Sequence, residues 1–337
     1  MHVSRWDLDK TYLRTEFDTL RDLVKTALER PDQKRTNPGA STLLREMVRA
    51  GVRVHILSGS PEQMRRRLED KLRLDGITWD TFTLKPNLQN LLRLRFRAVR
   101  DQLGYKLPAL VAARAKLADG GESAAAITET LFGDDAEADA YVYSLYADLV
   151  AGRVPEDVLL KVLERGRVYE DIVAETMETA RTIERADVVE RILIHLEQQT
   201  PPDDFRAYGP RAVPFYNYLQ AAFVLHEDGR LGPDGVLRVA VELVTEHLFD
   251  GDALARSYMD LARRGHLRGT RIDAVQKELE SWTERGNVPA SEELRAMVHR
   301  LPAMAEGARA GWKEREQRLP DYLALVQAHN PRRRKGG

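Results

Sequence analysis

The 337-residue chain has no cysteine. That excludes disulfides, thiolate nucleophiles and thiolate metal ligands, and it suits a cytoplasmic protein. Long apolar runs are missing too: none approaches the ~18 residues of a membrane-spanning helix. The N-terminus turns polar and acidic within its first ten residues, so no secretory signal is expected. Neither charge sign dominates. Fifty-two basic and 53 acidic residues give a formal charge of −1, which provides no global field toward nucleic acid or membrane. The basic clusters are local: Arg65 to Arg67, Arg93 to Arg100, and a tail from 331 to 337 containing Arg332, Arg333, Arg334 and Lys335. They read as solvated faces and a frayed end; the weaker alternatives are an anionic substrate or lipid surface for the arginine faces and a polyanion such as nucleic acid for the tail. No repeat of fixed period is visible. What remains, 43% apolar and 31% charged residues, describes a soluble globular protein long enough for two domains.

Residues 1–152 alternate short apolar runs with helical patterns. Strands are predicted at 2–6, 52–57, 78–84 and 127–132, and helices at 17–29, 41–50, 61–73, 87–102, 107–118 and 138–150. Such alternation predicts an α/β fold with a doubly wound parallel sheet covered by helices. Beyond Arg153-Val154-Pro155 the strand signal disappears. Helices are predicted at 158–165, 169–183, 188–197, 216–226, 236–249, 253–264 and 272–282, so 153–330 reads as an all-helical domain.

In a parallel sheet ligands bind beyond the carboxyl ends of the strands. Asp7 and Asp9 follow the first predicted strand, Ser58, Gly59 and Ser60 the second, and Asp134 and Asp135 the fourth, with Asp139 about one helical turn further. Three acidic or hydroxyl clusters thus fall on one sheet edge, a pattern suited to phosphoryl transfer. Asp7 is the candidate nucleophile, and Asp9 is placed to protonate the leaving oxygen and then activate water. Mg²⁺ takes hard oxygen ligands, which Asp7, Asp9, Asp134, Asp135 and Asp139 can supply. Ser58 and the amides of Gly59 and Ser60, read as a helix start, together with Thr11, can bind phosphoryl oxygens. A lysine is needed for the charge the metal does not reach, and Lys85 and Lys106 are the candidates.

The order Asp7-Leu8-Asp9-Lys10-Thr11, His55-Ile56-Leu57-Ser58-Gly59 and Gly133-Asp134-Asp135-Ala136-Glu137-Ala138-Asp139 resembles the first, second and fourth motifs of the haloacid dehalogenase (HAD) superfamily. The likeness covers about residues 1–150. It implies a Rossmann-like sheet, Mg²⁺ and an aspartyl-phosphate intermediate, and Asp9 resembles the second acid of its phosphatases. For the third motif, Lys106 stands at the more usual distance before Asp134, while Lys85, preceding a proline, resembles another form. A looser likeness is to the phosphatidate phosphatase catalytic domain of the actin-patch-protein type, with Tyr141, Tyr143 and Tyr146 in loose agreement. Lys10 departs from it, since that position is usually aspartate there. The expected function is a Mg²⁺-dependent phosphomonoester hydrolase. Its substrate would be a small metabolite, a phospholipid headgroup or a macromolecular phosphate end. A phosphate-binding scaffold without turnover and a phosphotransferase of the same fold are the alternatives.

Overall fold

The computed structural model describes residues 1–14, 34–85, 98–117, 123–286, 288–313 and 317–329. The helix predicted at 17–29, most of that at 87–102 and the basic tail lie outside the described residues.

Six strands, β1 (His2–Trp6), β2 (Arg53–Pro61), β3 (Thr81–Lys85), β4 (Thr128–Asp134), β5 (Val189–His195) and β6 (Ala212–Phe215), form one sheet. Their order is β3-β2-β1-β4-β5-β6 and every pairing is parallel. The order turns back between β1 and β4, which is where the topology of an open α/β sheet leaves a crevice. Helices α1 (Ala40–Arg49), α2 (Arg65–Leu74), α3 (Ala98–Leu117) and α4 (Asp139–Val150) accompany the first four strands. They are followed by α5 (Glu156–Arg165), α6 (Glu170–Thr182), α7 (Tyr218–Glu227), α8 (Pro233–His247), α9 (Gly251–Arg263), α10 (Ile272–Glu284), α11 (Ser291–Gly311) and α12 (Tyr322–His329).

The sheet is buried on both faces. On one, Trp6, Ile56 and Phe132 join α1, α7, α8 and the C-terminal helices in a single apolar cluster. On the other, Leu131, Ile192 and Ile194 pack with α3, α4, α5, α6 and α12. A strand covered on both sides carries a near-continuous apolar run rather than an alternation. This is why the stretch Val188 to Glu197, predicted as a helix, contains β5 (Val189–His195) instead: a short apolar run does not reveal its own period. The four-residue β6 also escapes the pattern. It contains Pro214, which lacks an N–H and is tolerated because β6 lies at the sheet edge. The strands therefore continue beyond position 153, and two of the six come from the half expected to be helical. The remainder of that half is helical as expected. The described end of the helix predicted at 87–102 is continuous with the helix predicted at 107–118 in α3, which runs through Pro108. No described helix is long and apolar enough to cross a membrane.

A buried carboxylate cluster at the switch point

The site grows out of the ends of β1 and β4. Trp6, the last residue of β1, stacks on Phe132 with ring centroids 3.8 Å apart, and the Asp7 amide donates to the Phe132 carbonyl at 3.0 Å. Asp7 thus leaves the sheet beside Asp134, the last residue of β4. A tight loop follows, in which the Leu8 carbonyl accepts from the amides of Tyr12 (3.0 Å) and Leu13 (2.7 Å). Lys10 holds the left-handed conformation at φ 62°, uncommon for a residue with a Cβ. The turn brings the Thr11 hydroxyl to 3.2 Å from both Asp7 Oδ2 and Asp134 Oδ2.

Asp139 enters from the first turn of α4. Its Oδ2 accepts from the Asp134 amide at 3.2 Å, and this approach requires glycine at 133, where a Cβ would lie 2.5 Å from the same oxygen. Lys106 reaches in from α3, which packs on the same face of the sheet as α4. Its Nζ lies 2.5 Å from Asp139 Oδ1, 3.1 Å from Asp7 Oδ1 and 3.1 Å from Glu137 Oε2. Asp134 Oδ1 is taken by the amides of Ala136 (2.7 Å) and Glu137 (3.0 Å).

Charge in this cluster does not balance. Asp7, Asp134, Asp139 and Lys106 are all buried, so three carboxylates face one ammonium. Burial and mutual repulsion push Asp7 and Asp134 well above the usual carboxylate range against the pull of Lys106. Asp139 is pushed up to about 6, mainly by burial. The same carboxylates hold Lys106 protonated despite its burial. Asp7 Oδ1 faces the ammonium but makes no hydrogen bond, and the single Thr11 proton cannot serve two carboxylates at once. Buried charge of this kind calls for a counter-charge. The carboxylate oxygens of Asp7, Asp134 and Asp139 lie within 4.8 Å of one another, and an all-oxygen donor set with two uncompensated negative charges fits a hard divalent cation.

Asp9 stands apart from the triad. Its Oδ2 accepts from Ser58 Oγ (3.0 Å) and Ser60 Oγ (2.7 Å), and burial raises it above the ordinary carboxylate range, opposed by these serines and by Lys34. Ser58 Oγ also accepts the Ser60 amide at 3.0 Å, and the Ser58 carbonyl accepts from Tyr105 Oη at 2.7 Å.

Several expectations are placed differently. Gly59 and Ser60 belong to an extension of β2 with a register shift, and the helical turn begins only at Glu62. Their amides therefore do not form a helix N-terminus, and that of Ser60 is already occupied by Ser58. Asp135 turns away to accept the amides of Gln198 (2.8 Å) and Thr200 (2.9 Å), tying down the loop after β5. Lys85 ends β3 beside Pro61, and no described hydrogen bond or ion pair joins it to the cluster, whereas Lys106 sits in its centre. Thr11 is buried between the carboxylates. Glu137, Asn37, His195 and Tyr218 were not foreseen. Glu137 had a signal, as it is the acid two residues before Asp139. The other three reach the site only through the fold. A second group with metal-ligand chemistry, Glu242, Glu246 and His247, lies toward the end of α8. No known protein family, curated protein or solved structure matches the chain.

Proposed function

We propose that the chain is a Mg²⁺-dependent phosphohydrolase of the HAD type that cleaves a phosphomonoester. The observation that carries this reading is the excess of buried carboxylate at the switch point, organised around one buried lysine. Such an arrangement costs stability unless a cation and an anionic substrate complete it.

Asp7, Asp134 and Asp139 would hold the ion, which supplies Lewis-acid neutralisation of the phosphoryl oxygens when bound. Asp7 is the nucleophile: its carboxylate oxygen attacks phosphorus, the ester oxygen leaves, and an aspartyl-phosphate remains. Asp9, oriented by Ser58 and Ser60, has the raised proton affinity of a general acid. It protonates the leaving oxygen, and as carboxylate it then takes a proton from the water that hydrolyses the acyl phosphate. Lys106 restrains Asp7 and offsets the negative charge gathered at phosphorus.

The test is phosphate release from a panel of phosphomonoesters that includes sugar phosphates, phosphatidate and phosphopeptides, with Mg²⁺ or with EDTA. Release that needs both Mg²⁺ and Asp7 is expected. Release that persists in Asp7→Asn or in EDTA overturns the mechanism. Mg²⁺-dependent binding without turnover would point to the scaffold reading.

A further inference from the structure

The Asp7–Leu13 loop is held from behind by residues far away in the chain. Asn37 Nδ2 donates to the carbonyls of Lys10 (2.9 Å) and Thr11 (2.6 Å). Tyr218 Oη donates to the same Thr11 carbonyl at 2.6 Å, so both lone pairs of that oxygen are used. The two donors are themselves fixed. The Asn37 amide donates to Tyr12 O at 2.9 Å and its carbonyl accepts from the Ala40 amide at 3.0 Å. The fully buried Tyr218 ring lies parallel to Trp6 at 6.1 Å and edge-on to Phe215 at 5.1 Å. Gly39, at φ 83°, lets the start of α1 approach α7, since a Cβ there would lie 3.0 Å from Tyr218 Cβ. His195 fills the remaining corner, with Nδ1 3.4 Å from Lys10 O.

We infer that Asn37 and Tyr218 are positioning residues that set the spacing of the Asp7 and Asp134 carboxylates through Thr11. The inference rests on the reading that these carboxylates hold a divalent cation. The Thr11 hydroxyl stands 3.2 Å from both carboxylates and the Thr11 carbonyl is the point being clamped, so a displacement of this backbone moves the hydroxyl that lies between them. Mg²⁺ tolerates little error in octahedral geometry, and the similarly small Mn²⁺ also takes six oxygen ligands, whereas the larger Ca²⁺ accepts a wider, looser oxygen cage. The clamp therefore acts on which ion binds as well as on how tightly. It also gives the C-terminal half a part in the site, because Tyr218 opens α7.

The experiment is Mn²⁺ and Ca²⁺ binding to the full chain by calorimetry, with Mn²⁺ also followed by electron paramagnetic resonance. It compares the wild type with Tyr218→Phe, which deletes only the hydroxyl, Thr11→Val and the pair combined, each first melted without metal. Tyr218→Phe is expected to weaken Mn²⁺ binding about tenfold, the lower end of the usual effect of a supporting residue, and Ca²⁺ binding less. In the Thr11→Val background the same substitution is expected to change nothing. If Tyr218→Phe does not fold, Asn37→Ser, which removes the other donor, carries the same comparison. Unchanged Mn²⁺ affinity in a folded variant, an equal loss for both ions, or a full effect in the Thr11→Val background overturns the clamp while leaving the cation site intact. A wild type that binds neither ion overturns the cation reading itself, and the clamp with it.

Discussion

Strands β1 and β4 carry two buried polar clusters, one in the middle of the sheet and one at its carboxyl edge. In the middle, Glu129 accepts from Arg5 Nε at 2.6 Å, Arg114 at 2.9 Å and Tyr146 Oη at 3.0 Å. These partners hold Glu129 below the ordinary carboxylate range in spite of its burial. At the edge, Asp7 and Asp134 are pushed the other way by burial and by the neighbouring carboxylates, against the pull of Lys106. The same two strands thus hold one cluster whose carboxylate is fully partnered by the protein's own cations and one whose carboxylates outnumber the cation they face. The difference separates a polar cluster that serves the fold from one arranged for something that arrives from outside.

The sharpest way to break the comparison is Glu129→Ala. It leaves Arg5 and Arg114 buried without their carboxylate, and a loss of about 3–5 kcal/mol is expected in a urea melt. The edge should respond to ligand instead. Mg²⁺ at 100 times its dissociation constant should stabilise the wild type by about 2.7 kcal/mol, and calorimetric melting should show no such gain in Asp7→Asn.

Histidines beside the central network provide a pH test. Burial lowers His2 and His55 from 6.5 to about 4. His2 is lodged between Thr128 and Thr130, and His55 lies beside Arg5. Because the folded value is the lower one, the unfolded chain binds protons first. Their contribution is complete above pH 6.5 and is lost as pH falls toward 4, with a slope of at most about 1.4 kcal/mol per pH unit for each histidine. Urea melts between pH 4.5 and 7.5 should show a shallower slope for His55→Asn than for the wild type. An unchanged slope would mean that His55 is not held neutral. The smallest effect expected is at the edge. Asp7→Asn should raise metal-free stability by about 1 kcal/mol, since it removes an uncompensated charge. A loss of stability would show that Asp7, like Glu129, is adequately partnered as it stands.

The sequence makes legible the parallel α/β character of the first half, the ends of β1 and β4 that carry Asp7 and Asp134, and Ser58 on the strand between Arg53 and Pro61. Short apolar runs, turn residues and acidic clusters are local signals, written within a few neighbours of each other. It also offered Lys106, but only as one of two lysines. Choosing between them took the path of α3 across the sheet, which buries Lys106 among Asp7, Glu137 and Asp139 and leaves Lys85 on β3. Tertiary packing is what reveals β5 and β6 as part of the sheet, because a strand buried on both faces loses the alternation that would mark it. It alone turned Asp135 toward the loop after β5, since a side chain's direction at a strand end depends on which backbone amides lie nearby. It alone brought Asn37 and Tyr218 beneath the Thr11 carbonyl. No spacing in the chain encodes that meeting, which depends on how α1 and α7 pack on the same face of the sheet.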